Sequence, residues 1–133
     1  MNATDTLRGL RVLIAEDNWL IGESLREILL GLGCAVVGPI PDLAGVMAVI
    51  VTEGVDAALL DIQLGDANAL AAASELASRG VPFIVTTGGE GPAGLPAVLA
   101  QAPRLDKPFD VQRLEAAMRA AFLPRLGGSP AGS

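Results

Sequence analysis

Ala57-Ala58-Leu59-Leu60-Asp61 is an unbroken apolar run that ends in a carboxylate. A strand with one wet face alternates apolar and polar residues, so a short continuous run of this kind reads as a strand buried on both faces of a parallel sheet. An aspartate where such a strand ends would sit at the carboxyl edge of the sheet, where open α/β folds bind their ligands. A lone Asp after a strand is more often a turn cap. Its weight depends on what else converges on that edge.

Working outward, Arg11-Val12-Leu13-Ile14-Ala15 is a second such run, followed at once by the acidic, helix-capping cluster Glu16-Asp17-Asn18. Ile21, Leu25, Ile28, Leu29 and Leu32 then recur at helical spacing until Gly31 and Gly33 end the helix. Ala35-Val36-Val37 is a brief strand closed by Gly38-Pro39 and Pro41, and Asp42 caps a helix whose apolar stripe is Leu43, Val46, Met47, Ile50 and Val51, stopped by Gly54. After Asp61, Gln63-Leu64-Gly65-Asp66 reads as a loop, and a helix follows through Ala69, Ala73, Leu76 and Ala77 to Gly80. Phe83-Ile84-Val85-Thr86-Thr87 is an apolar strand that turns polar at its carboxyl end.

The glycines and prolines from Gly88 to Pro96 leave room for a turn or two of helix between Leu95 and Ala100, with a mobile loop before it. Arg104-Leu105-Asp106 is a short fifth strand, and Asp110 caps a helix with Leu114, Ala117, Met118, Ala121 and Phe122 on one face. Strands alternating with helices imply right-handed crossovers and a doubly wound, five-stranded parallel α/β sheet of the flavodoxin-like kind, with a weak or disordered fourth helix. The expected boundaries are a tail over 1–8, one domain over 9–123 and a disordered tail over 124–133, where Gly, Pro and Ser dominate.

Composition narrows the function. A net charge of -6 with nine scattered basic residues lacks the clustered Lys and Arg that nucleic-acid phosphates need. No apolar stretch reaches membrane-span length, and the single Cys34 cannot form an internal disulfide, so a cytoplasmic protein without membrane or nucleic-acid partners is expected. Aromatic residues make up only 3% against 51% hydrophobic, so the core must be built from Ala, Val, Leu and Ile.

If the first and third strands are neighbours, Glu16, Asp17 and Asp61 converge. Two unit charges about 4 Å apart repel by roughly 4 kcal/mol at an effective dielectric of 20, so the cluster wants a cation. Oxygen-only ligands select a hard ion such as Mg²⁺, and a carboxylate-held metal with open positions suits phosphoryl transfer. Lys107, after the fifth strand, adds a positive charge and Thr87, after the fourth, a hydroxyl donor, both suited to holding a phosphoryl group on Asp61.

These residues resemble the receiver domain of two-component response regulators. The matching motifs are the acidic pair Glu16-Asp17, Asp61 within Leu59-Leu60-Asp61-Ile62, Thr87-Gly88, and Lys107-Pro108-Phe109, and the likeness covers about residues 9 to 123. It implies phosphoryl transfer from a histidine kinase, or a phosphotransfer protein of a phosphorelay, to Asp61. Mg²⁺ (or Mn²⁺) would be held by Asp17, Asp61 and the main-chain carbonyl of Gln63, with Glu16 acting through a water. It further implies that Thr87 and Lys107 contact the phosphoryl group, that Lys107-Pro108 is cis, and that the Gln63 side chain tunes the lifetime of the acyl phosphate. The only catalysis expected is self-catalysed acceptance and autodephosphorylation.

Departures from the family pattern fall in the switch region, Gly88, Glu90 and Arg104. Arg104 stands where many receivers carry an aromatic residue, so the aromatic switch cannot operate in that form. Pro82 to Gly89 is similar to the subgroup whose fourth strand ends Phe-Ala-Thr-Gly, then a hydrophobic residue and Tyr, which often pairs with kinases of the HWE type; here Thr86 replaces Ala and Glu90 replaces Tyr. A haloacid-dehalogenase-like phosphatase would need a second Asp where Gln63 stands, and a dinucleotide site would need glycines where Glu16-Asp17 stand. The expectation is a single-domain regulator that binds a downstream protein target or acts as a phosphate sink, with a phosphorylation-independent binding module as the rival.

Overall fold

The computed structural model describes residues 7–88 and 96–126. In chain order the elements are β1 (Arg11–Ala15), α1 (Trp19–Gly31), β2 (Ala35–Ile40), α2 (Leu43–Thr52), β3 (Ala57–Asp61), β4 (Gln63–Leu64), β5 (Ala67–Asn68), α3 (Leu70–Ser78), β6 (Phe83–Thr87), α4 (Ala97–Ala100), β7 (Arg104–Asp106) and α5 (Val111–Leu126). Five of the strands form one parallel sheet in the order β2-β1-β3-β6-β7. The chain steps outward one way from β1 to β2, then returns to β3 and steps the other way, so the switch point lies between β1 and β3.

Alternation along the strands splits the core into two layers. Val12 and Ile14 join Leu25, Leu29, Leu114, Met118 and Phe122 on the face covered by α1 and α5. Leu13, Ala15, Ala58 and Leu60 join Val46, Ile50, Ala72, Ala73 and Leu76 on the face covered by α2 and α3. Every residue of β3 is buried, as a central strand covered on both faces requires. The paucity of rings is met by alanines, with Ala57, Ala58, Ala69, Ala72 and Ala73 all at 0% exposure, which lets helices approach the sheet closely.

Capping follows the local chemistry. Asn18, Asp42 and Asp110 each accept a main-chain N–H three residues on, from Ile21, Gly45 and Arg113. The fourth helix is a single turn, as the proline and glycine content requires. The expected mobile loop from Gly88 to Pro96 lies, between its ends, outside the described residues.

Several local expectations need correction. β2 does not stop at Gly38-Pro39 but runs to Ile40, because Gly38 adopts φ +104 and lets the strand carry an extra residue opposite β1. Val51 is 54% exposed and lies off the apolar stripe of α2. Gln63 to Asp66 is not an open loop: β4 and β5 pair antiparallel, Gln63 with Asn68 and Leu64 with Ala67. Gly65-Asp66 is the tight turn between them, a dipeptide that favours two-residue hairpins. Finally, α5 continues three residues past the boundary expected at 123, since Pro124 forfeits one main-chain hydrogen bond without ending the helix.

Gly22 marks where α1 lies against the β2 irregularity. A Cβ on Gly22 would stand 2.8 Å from both Cβ and Cγ of Pro39. Gly22→Ala is therefore expected to destabilise the fold by about 1–3 kcal/mol through overpacking, despite the helix propensity of alanine. Urea unfolding should show a lower midpoint at an unchanged slope.

Candidate functional site

β1, β3, β6 and β7 all end at the same edge. Ala15 is followed by Glu16 and Asp17; β3 ends on Asp61, β6 on Thr87, and β7 runs into Lys107. Parallel pairing makes this convergence obligatory once the register is set, with Ala15 opposite Leu60 and Asp61 opposite Thr86. One oxygen from each of Glu16, Asp17 and Asp61 lies within 4.8 Å of the others, and among the described residues this is the group able to hold a metal ion.

Glu16 is 2% exposed and Asp61 8%. Buried carboxylates need partners, and the chain's single lysine supplies them: Lys107 Nζ donates to Glu16 Oε1 at 2.7 Å and to Asp61 Oδ2 at 3.0 Å. Main-chain donors engage other oxygens: Asn18 N–H reaches Glu16 Oε2 at 3.0 Å, Gln63 N–H reaches Asp61 Oδ1 at 3.2 Å, and Gly65 N–H reaches Asp17 Oδ2 at 2.8 Å. Thr87 is 6% exposed, and its carbonyl accepts the Lys107 main-chain N–H at 2.7 Å. That bond sets the two residues side by side. The Lys107-Pro108 bond is cis.

Burial pushes the Glu16 carboxyl above its ordinary 4.5, and the nearby Asp61 charge adds to the rise, against the opposing pull of the Lys107 hydrogen bond. For Lys107 burial works to lower the pKa, but the hydrogen bonds and charges of Glu16 and Asp61 outweigh it and hold the ammonium above its ordinary 10.5. The stability Lys107 contributes is fully present below that ordinary value and is lost as pH rises through the folded one. The chain has no histidine and no tyrosine, and burial raises the Cys34 thiol above 9.0. In a Cys34→Ala background, unfolding free energy is expected to hold level to about pH 10.5 and then fall as Lys107 deprotonates. Adding Lys107→Met should erase that fall, as chemical denaturation across pH would show.

Of the expected site residues, Glu16, Asp17, Asp61, Thr87 and Lys107 come to one edge. Gln63 also belongs to it through its main chain, while its side-chain Nε2 turns to the Gly65 carbonyl at 3.1 Å. In the switch region, Gly88 is exposed and Glu90 lies outside the described residues. Arg104 Nε stands 3.0 Å from Asp106 Oδ1, an ion pair without an aligned hydrogen bond, and both side chains are about half exposed. A pair so exposed contributes little. Two features escaped the sequence reading: the direct Glu16–Lys107 bond and the Gly65 N–H on Asp17, neither of which residue types signal, although the Gly65-Asp66 dipeptide does signal the hairpin turn from which that N–H comes.

Fold and site together define a class, the doubly wound α/β domains with an oxygen-only acidic cluster at the switch point. Residues 12–119 match the response regulator receiver domain, and the chain belongs to that family. No curated protein matches it. Among solved structures it is similar to a CheY-like receiver domain from Methylobacillus flagellatus, at 25% identity and TM-score 0.69 over 84% of this chain and 98% of that one. SdrG from Sphingomonas melonis Fr1 is 33% identical, with TM-score 0.70 over 84% and 95% of the two chains. The receiver domain of a sensor histidine kinase from Pseudomonas aeruginosa is 25% identical, with TM-score 0.73 over 86% and 98%, and that protein coordinates a magnesium ion in its active-site cleft.

Receiver domains are signalling modules that interact with histidine kinases or phosphotransfer proteins. The oxygen-only cluster fits a hard divalent cation. No helix among the described residues is long and apolar enough to cross a membrane.

Proposed function

We propose that this chain is a response regulator that accepts a phosphoryl group on Asp61 from a histidine kinase or phosphotransfer protein, in a reaction that depends on Mg²⁺ or Mn²⁺. The observation that carries the reading is the triad of Asp61, Lys107 and Glu16, with Asp17 beside it, at the edge where a donor has access. An Asp61 carboxylate oxygen attacks phosphorus, the bond to the donor histidine nitrogen breaks with its electron pair leaving on nitrogen, and an acyl phosphate forms. Asp17, Asp61 and the Gln63 carbonyl would hold the divalent ion, which would supply positive charge against the phosphoryl oxygens.

Lys107 moves its ammonium from the carboxylates to the incoming oxygens, and the Thr87 hydroxyl donates to another. Glu16 keeps Lys107 charged and would accept from a water of the cation when one is bound. Hydrolysis then restores Asp61, with the Gln63 side chain tuning its rate. The output is a protein–protein interaction or removal of phosphoryl groups from the kinase. Trp19 and Leu20, 73% and 65% exposed at the start of α1, form an apolar rim beside the site of the kind that protein partners cover. Incubation with acetyl phosphate and Mg²⁺ should give a labile phosphoryl adduct by intact mass; a phosphorylation-independent binding module would acquire none.

A further inference from the structure

Two carboxylates, one ending β3 and one in the loop after β1, are tied to one ribbon. Gln63 N–H holds Asp61 Oδ1 from the end of β3, and Gly65 N–H holds Asp17 Oδ2 from the loop after β1. The ribbon is the β4–β5 hairpin, closed by the Gln63–Asn68 and Leu64–Ala67 pairs, so the two donors keep a set separation. Asp17 is exposed and comes from outside the sheet ladder. Without an anchor, an exposed aspartate rotates freely between rotamers.

We infer that Gly65 is a positioning residue for the divalent-metal site: its main-chain N–H holds one oxygen of Asp17 and so presents the other to the cation. Resting on the metal-dependent reading above, the inference concerns a residue that neither ligates nor touches the phosphoryl group. The turn that brings this N–H to Asp17 holds Gly65 at φ +60, a conformation that L side chains rarely adopt. A Cβ there would meet nothing within 4 Å, so substitution acts through backbone conformation and not through a clash. Asparagine tolerates this conformation far better than alanine and keeps the N–H. Outer-shell partners of metal ligands typically carry about 10- to 100-fold of the affinity.

Mn²⁺ affinity, read from the loss of the free-ion paramagnetic resonance signal, tests this directly. Gly65→Ala should bind Mn²⁺ about tenfold more weakly than the wild type, at the low end of that range because the ligands themselves remain. Gly65→Asn should recover most of the affinity. Gly54, at φ +76 with nothing within 4 Å of a Cβ, lies beyond α2 before the opposite end of β3, so Gly54→Ala imposes the same kind of strain away from the site. It should lower thermal stability comparably while leaving Mn²⁺ binding unchanged. Wild-type affinity in Gly65→Ala, equal weakening in Gly54→Ala, or failure of Gly65→Asn to recover would each overturn the inference. A wild type that binds no Mn²⁺ would instead overturn the metal-dependent reading of the site.

Discussion

Asp61→Asn acquires no labile phosphoryl adduct from acetyl phosphate and Mg²⁺ under conditions in which the wild type does, and intact mass separates the two. The amide oxygen carries no charge with which to attack phosphorus, and no other carboxylate takes its place. Glu16 is buried and bonded through both oxygens, to Lys107 and to Asn18 N–H. Asp17 is tied to the hairpin. The substitution should nevertheless be mild for folding. It gives up the 3.0 Å bond to Lys107, but it also removes a negative charge that raises the pKa of Glu16. Charge repulsion between neighbours about 4 Å apart is roughly 4 kcal/mol at an effective dielectric of 20, comparable with a lost charged hydrogen bond of about 1.5–3 kcal/mol. A net change within about 1 kcal/mol is expected. An adduct that persists in Asp61→Asn would place the acceptor elsewhere.

Lys107→Met carries the larger cost in stability. Its side chain is 16% exposed and faces Glu16 and Asp61 at 1% and 10%. Methionine fills the same space but leaves two carboxylates facing each other without a counter-charge. Removing one partner from a buried ion pair typically costs about 3–5 kcal/mol. Here the lower end applies, because Glu16 can take up a proton more readily than an ordinary carboxylate. The cation site offers a distinguishing control: with EDTA present the full loss should appear, and saturating Mg²⁺ should recover a substantial part of it by binding the folded state preferentially. Phosphoryl acceptance should fall by about 10²-fold, the scale for losing one electrostatic donor to the transferring group. Equal stability of Lys107→Met and wild type in EDTA would mean that the three groups are not coupled as their geometry indicates.

Much of this was legible in the sequence because the signals are local. Unbroken apolar runs around Val12 to Ala15 and Ala57 to Leu60 specify buried parallel strands, and the acids that follow have nowhere to go but the carboxyl edge. Asn18, Asp42 and Asp110 cap helices through contacts three residues long, which sequence spacing encodes directly. The errors fell where a neighbour overrides local preference. Gly38-Pro39 reads as a strand terminator, yet pairing with β1 through a register shift, with Pro39 packed where Gly22 lacks a side chain, carries β2 through to Ile40. Val51 fits a helical stripe by spacing but rotates off it when Val46 and Ile50 take the sheet.

Residue types alone determined the fold class, the strand on which Asp61 ends and the oxygen-only character of the acidic cluster, because each depends on hydrophobic periodicity or donor chemistry along a few consecutive residues. Tertiary structure alone decided that Lys107 bonds to Glu16 as well as to Asp61, 91 and 46 residues away in the chain. It also decided that Gly65, 48 residues beyond Asp17, supplies the N–H that holds it. Those pairings depend on strand order and register, which bring distant residues within hydrogen-bonding reach. No local pattern encodes a distance between side chains that meet only when the sheet is assembled.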